Sequence, residues 1–136
     1  AAIAILAGIV IIAINPGKQL GDTRNAQRHS DVNTILNAVY QYSIDNNGAI
    51  AGTGNLSGTP KEICKANVAT STCTSASLVP LNELIWSEKY LVDLPIDPNG
   101  GCNANGICYQ ISTTTNNRVI ITAPDAEQGD TIQVKR

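Results

Sequence analysis

Residues 1–14, AAIAILAGIVIIAI, contain no charged and no polar side chain. At a rise of about 1.5 Å per residue such a run makes a helix of roughly 21 Å. A bilayer's hydrocarbon core is about 30 Å thick and takes roughly 20 apolar residues to span. The run is therefore too short for a stable span and too apolar for a solvated terminus. It reads as the stump of a longer apolar helix, with the chain starting inside it, or as a segment buried against other protein.

The 136 residues suffice for one domain plus this appendage. Phe and Met are absent and aromatics make up only 4%. Because much of the apolar content sits in residues 1–14, the domain is left with a thin core of Val, Ile, Leu and Ala, joined by Trp86 and four Tyr. Small cores of this kind need staples. Four cysteines are available, Cys64, Cys73, Cys102 and Cys108. Four allow three connectivities, of which the local pairing, Cys64–Cys73 with Cys102–Cys108, is the simplest. Zinc is the rival reading, but there is no C-x-x-C and the single His, His29, lies far away in a helical stretch. Disulfides imply an oxidising compartment outside the cytoplasm.

The net charge is −2, so a basic footprint for nucleic acid is missing. Lys18, Arg24 and Arg28 cluster just after the apolar run, as on the cytoplasmic flank of a membrane segment, although Asp22 and Asp31 dilute that signal.

Asn15-Pro16-Gly17 interrupts the apolar stretch, since Pro removes a helix hydrogen bond and Gly is a poor helix former. Gly8 is a second weak point. From Gln19 to Asn46 the pattern is amphipathic: Val32, Ile35, Leu36, Val39 and Tyr42 share one helical face, while Asp31, Asn33, Asn37, Gln41 and Asp45 point elsewhere. Asn46-Asn47-Gly48 is a stop signal. Residues 1–46 thus read as one long helix hinged at Pro16. Its front half is apolar all round and protrudes from the domain, where it needs lipid or partner helices.

Residues 49–79 read as a long polar connection, held by a Cys64–Cys73 staple if that pairing forms. Residues 80–90 read as a short helix burying Leu81, Leu84 and Ile85. Residues 94–100 (LPIDPNG) are turn-rich, and Asp97 between two prolines reads as a turn residue. Residues 107–112 and 118–123 read as a β-hairpin turned at Thr114–Asn117, with Tyr109, Ile111, Val119 and Ile121 facing the helix, and residues 131–135 as a third strand. The fold class is α+β, a long helix on a small antiparallel sheet. Most of the five aromatics, Tyr40, Tyr42, Trp86, Tyr90 and Tyr109, are assigned to the core.

This sum of parts resembles the type IV pilin and type II secretion pseudopilin superfamily. ILAGIVIIAINP (Ile5–Pro16) is similar to the back of that family's N-terminal helix. KQLGDTRNAQRHSDVNTILNAVYQYSIDNNG (Lys18–Gly48) is similar to its amphipathic continuation, and LPIDPNG (Leu94–Gly100) to the Pro-Asp-Pro turn before its sheet. The resemblance does not extend to the segment between. Mature members begin with Phe or a similar residue on a segment carrying an early Glu. About ten such residues would bring the apolar helix to roughly 36 Å, enough to span a bilayer, and the family's processed N-terminus and assembly Glu fall on no residue of this chain.

The resemblance implies a filament subunit with residues 1–17 as the polymerising segment and residues 18–136 as its head. Ile3, Ile5, Leu6, Ile9, Val10, Ile11, Ile12 and Ile14 would form the filament core, with Gly8, Pro16 and Gly17 as hinge. The implied partners are identical subunits in a homopolymer, inner-membrane lipid before assembly, and the pilus assembly machinery. The implied location is an extracellular filament on the cell surface. A pseudopilin of a secretion or competence machine is the first alternative; a membrane-anchored extracellular binding module that does not polymerise is the second.

Asp93, Asp97, Asp125, Glu127 and Asp130 flank the C-terminal turns, and pseudopilins often bind calcium there. Asp97, Asp125 and Asp130 are the calcium candidates, although their spacing fits no EF-hand and solvated turn carboxylates are the plainer reading. The Ser/Thr-rich stretches Thr70–Ser77 and Thr113–Thr115 are candidates for O-glycans against the reading as bare loops. Asn55-Leu56-Ser57 matches a glycosylation triplet by pattern only. No G-x-S-x-G, P-loop or H-E-x-x-H occurs, so neither a catalytic set nor a cofactor is expected.

Overall fold

The computed structural model describes residues 15–136; the expected polymerising residues Ile3 to Ile14, with Gly8, lie outside them. Helix α1 runs Pro16–Asp45, 30 residues, or about 45 Å. Its start follows from local chemistry. Asn15 is the N-cap, its side chain accepting the Lys18 N–H at 3.2 Å, and Pro16 stands at the first helical position, where its missing N–H costs nothing. The helix ends as expected: the Asn46 N–H donates to the Tyr42 carbonyl at 3.0 Å and the Gly48 N–H to Ser43 at 2.8 Å, with Asn47 and Gly48 left-handed at φ 56° and 88°.

Four strands, β1 (Lys61–Cys64), β2 (Gly106–Thr113), β3 (Val119–Ala123) and β4 (Ile132–Lys135), form one antiparallel sheet in sequential order. The hairpin expected at residues 107–123 is β2–β3, with Ile111 opposite Ile121 and Thr113 opposite Val119; β4 follows with Val134 opposite Ile121. The second half of α1 lies against this sheet. Val32, Ile35, Leu36 and Val39 are buried with Ile107, Tyr109, Ile111, Val119, Ile121 and Ile132. Each fully buried aliphatic side chain is worth about 1.5–3 kcal/mol relative to exposure. The inward set expected for the hairpin is the observed one.

Three expectations need correction. Residues 49–79 are not a bare connection: they hold β1 and a short helix α2 (Thr70–Ser75). Glu62 pairs with Gln110, a bulge follows before Cys64, and the Val79 N–H and carbonyl bond to Glu62 and Cys64 at 2.9 Å each. The neighbours of β1 complete its bonding, so its own two apolar residues, Ile63 and Cys64, suffice. Gly52 belongs to this packing: it sits at φ +76°, and a Cβ there would lie 2.9 Å from Val79 Cγ1. Residues 80–90 are not one helix either. A single turn α3 (Asn82–Ile85) gives way to a 3-10 turn (Trp86–Glu88) in which Ser87 and Glu88 have φ of 57° and 52°. Leu81 and Leu84 are buried as expected and Ile85 partly so. Lastly, Trp86 is not in the core but 79% exposed, and Tyr40 is exposed as well. Of the aromatics only Tyr109 is fully buried, with Tyr42 and Tyr90 packed partly against the core.

Candidate functional site: a polar clamp on the long helix

The buried stripe of α1 does not stop where its apolar residues do. Gly21, Asn25, Arg28, Val32, Ile35 and Val39 are all buried, spaced alternately by four and three, so one helical face changes from apolar to polar halfway along. Arg28 has no exposed surface, and Asp31 and Asp97 are also buried. A buried charge persists only if it is compensated: here Arg28 and Asp97 are paired with each other, and Asp31 is held by two neutral hydrogen-bond donors.

Arg28 makes a two-point pair with Asp97: Nε donates to Oδ2 at 2.6 Å and Nη2 to Oδ1 at 2.9 Å. Its Nη1 reaches Glu127 Oε2 at 2.6 Å and Asn25 Oδ1 at 3.1 Å. Arg24 closes on Glu127 from the other side, at 2.7 and 2.5 Å. Asn25 then holds the backbone of Glu127: its Nδ2 donates to the carbonyl at 2.8 Å and its Oδ1 accepts the N–H at 2.9 Å. One turn along, Asp31 accepts from Gln27 at 2.7 Å and from the Tyr109 hydroxyl at 2.5 Å. Among the described residues no buried side-chain polar atom lacks a partner.

Loop geometry presents the two acids. The Asp97 N–H donates to the Ile107 carbonyl at 3.1 Å and its Oδ1 accepts the Asn99 N–H at 2.9 Å, so LPIDPNG curls its carboxylate onto Arg28. Glu127 rides on the β3–β4 loop, which closes over the helix at Gly21: a Cβ there would lie 2.6 Å from the Gln128 amide nitrogen.

The electrostatics are those of a closed network. The hydrogen bonds that Arg28 donates to Asp97, and then to Glu127, raise its pKa against the opposing effect of burial, and Arg24 is raised chiefly by Glu127. Arg24 and then Arg28 hold Glu127 down to about 2. Burial first, and Asp31 second, push the Tyr109 phenol upward. An arrangement whose acids are all engaged by donors leaves no free base or nucleophile; its capacity is mechanical, tying α1 to two loops of the head.

Three readings change here. Asp97 is not a solvated turn residue, Asp31 does not point away from the core, and Arg28 is not a free flanking cation. The signal for Arg28 was the four-three spacing of Asn25 and Arg28 ahead of Val32; for Asp31 and Asp97 the local sequence carried none. The calcium candidates are not brought together: Asp97 is committed to Arg28, Asp125 is exposed, and Asp130 lies 3.4 Å from His29 on the surface. Among the described residues, the one group of three ligand-type side chains in reach of each other is Glu62, Cys102 and Cys108, and both sulfurs are in a disulfide. The cysteines pair locally, Cys64–Cys73 and Cys102–Cys108, with Cα atoms 5.8 and 4.7 Å apart. Pro16 and Gly17, expected at a hinge, occupy the first turn of α1. Among the described residues no helix is long and apolar enough to cross a membrane.

In comparison with family models, curated proteins and solved structures, nothing matches this chain.

Proposed function

We propose that the chain is a pilin-like structural subunit that polymerises through its N-terminal apolar segment into an extracellular filament, and that it is not an enzyme. The observation that carries this reading is the leading end of α1. Residues 15–20 are all exposed, Leu20 to 57%, while the buried face begins at Gly21. The helix therefore leaves the head before it ends, and the apolar run of residues 1–14 comes directly ahead of that solvated turn.

Such a run needs an apolar partner. Bilayer lipid supplies one before assembly and the same segment of neighbouring subunits supplies one after it, so one surface serves both states. Repeated head-to-tail contacts that do not close form an open helical polymer. The clamp fits this role, since load carried along a filament core must pass from helix to head. The two disulfides suit an oxidising exterior. In this reading the partners are copies of the chain, inner-membrane lipid and an assembly machine.

Electron microscopy with helical reconstruction of material sheared from cells that express the full protein tests it. Long fibres with residues 1–14 bundled at the axis are expected. Monomers or membrane-bound particles alone, under several expression conditions, would overturn the filament.

A further inference from the structure

The clamp uses none of the surface around Trp86, which stands 79% exposed beside Tyr42 and Asn46 at the far end of α1. It is the single Trp of the chain. The backbone after it holds two non-glycine residues in the left-handed region, Ser87 and Glu88, a conformation that persists where the surroundings impose it and that clusters at ligand sites. Trp86, Glu83 and Ser87 form a ridge shared by two grooves, one of about 870 Å³ and one of about 410 Å³. The larger has Pro80 and Ile85 as its apolar wall and Asn55, Asn67 and Thr70 among its polar groups. Asn82, also in that lining, donates to the Val68 carbonyl at 2.9 Å, which fixes its amide. The smaller adds Asn46 and Tyr90.

The lining selects the occupant. Glu83 is the one charged residue in the larger groove. In the smaller groove the cation, Lys89, is already paired with Asp45 at 3.3 Å. An anionic ligand meets no free cation and one carboxylate. Neutral amides and hydroxyls, which donate and accept at once, surround an open indole face that seeks an apolar surface. Neither edge strand of the sheet lines either groove, so a peptide could not bind by strand addition. A pyranose ring meets the requirements: an apolar C–H face for the indole and equatorial hydroxyls for the amides. Two grooves meeting at one ridge suit a chain of such rings.

We propose that Trp86 and its flanking grooves bind a neutral oligosaccharide, lying across the indole with hydroxyls on Asn55, Asn67 and Glu83. This site is independent of the filament reading, and its test does not depend on polymerisation.

The test uses the full chain in a zwitterionic detergent that carries no sugar, with trimers of β-1,4-linked glucose, N-acetylglucosamine, mannose and galactose as probes. Trp86 emission is followed to ~20 mM, where even millimolar binding saturates. Saturation-transfer NMR reads the same mixtures for variants that lack the fluorophore. A saturable emission change is expected with at least one trimer. Trp86→Ala is expected to weaken it about tenfold or more, with Trp86→Tyr retaining part of it and Glu83→Ala lying between. Binding that is unchanged in Trp86→Ala, or no saturation with any of the four, overturns the proposal. Emission that changes with protein concentration in the absence of sugar assigns Trp86 to a contact between copies and likewise overturns it, as does saturation by a Pro-rich peptide where the sugars fail.

Discussion

Arg28 concentrates the energetics of the clamp in one side chain. Removing Arg28 leaves the buried Asp97 charged and without a cation, so Arg28→Met alone is expected to cost ~3–5 kcal/mol in urea unfolding, whereas Asp97→Leu alone leaves Arg28 paired with Glu127 and is expected to cost less. The double variant removes both charges together and is expected to cost less than the sum of the two, which a double-mutant cycle measures directly. Glu127 makes a pH prediction. Its pKa is depressed from the ordinary 4.5 to about 2, so the stability it contributes is fully present above pH 4.5 and is lost as pH falls toward 2. Its side chain is 23% exposed, and solvent screening tempers the size of the effect. Urea midpoints measured across that window are expected to fall with acid in the wild type, and Glu127→Gln is expected to flatten that part of the slope.

At the scale of elements, the two disulfides close loops of similar length, with sequence separations of 9 and 6. Loop entropy alone assigns each roughly 2–3 kcal/mol. Packing separates them. Cys64 and Cys73 are buried with Leu78 in a small second core, whereas Cys102 is partly exposed. The C64S/C73S variant is therefore expected to lose more stability than C102S/C108S, as read by their denaturation midpoints. Gly52→Ala, which forces a Cβ against Val79 at a left-handed position, is expected to cost ~1–3 kcal/mol of stability, read as a lower midpoint.

The same scale shows what could be read from the chain. Helix α1, the β2–β3 hairpin and β4 were legible because local periodicity and turn residues specify them. Strand β1 was not, because Lys61-Glu62-Ile63-Cys64 becomes a strand only through β2 and Val79, both distant in sequence. The 3-10 break at Trp86–Glu88 was hidden by a helical pattern that two left-handed residues override. The clamp was half legible: the spacing of Asn25 and Arg28 continues the buried face, but Asp97 and Glu127 are 69 and 99 residues from Arg28, and only the fold brings them to it.

For the whole molecule, the filament reading separates assembly from folding. Among the described residues the buried core and both disulfides lie within residues 21–136, and the apolar run precedes them in sequence. Ile9→Lys with Ile12→Lys places two charges in that run, and each costs a few kcal/mol in an apolar helical environment. Fibres are expected to disappear from electron micrographs while the thermal unfolding of the head stays within experimental scatter of the wild type. A parallel loss of the head's melting transition would show that the run belongs to the head's own core.

The change from apolar to polar along one face of α1 also fixes the axial position of the helix. An oily seam tolerates displacement, because one Ile or Val can stand in for another one turn along. A shift of α1 by four residues toward its leading end would set Val32 opposite Asp97 and carry Arg28 out to the place of Arg24, where it would still meet Glu127 but leave the Asp97 carboxylate stranded against hydrocarbon. Pulling on the front of the helix therefore meets a keyed stop rather than gradual slip. The helix stays in register with the sheet until the key itself fails.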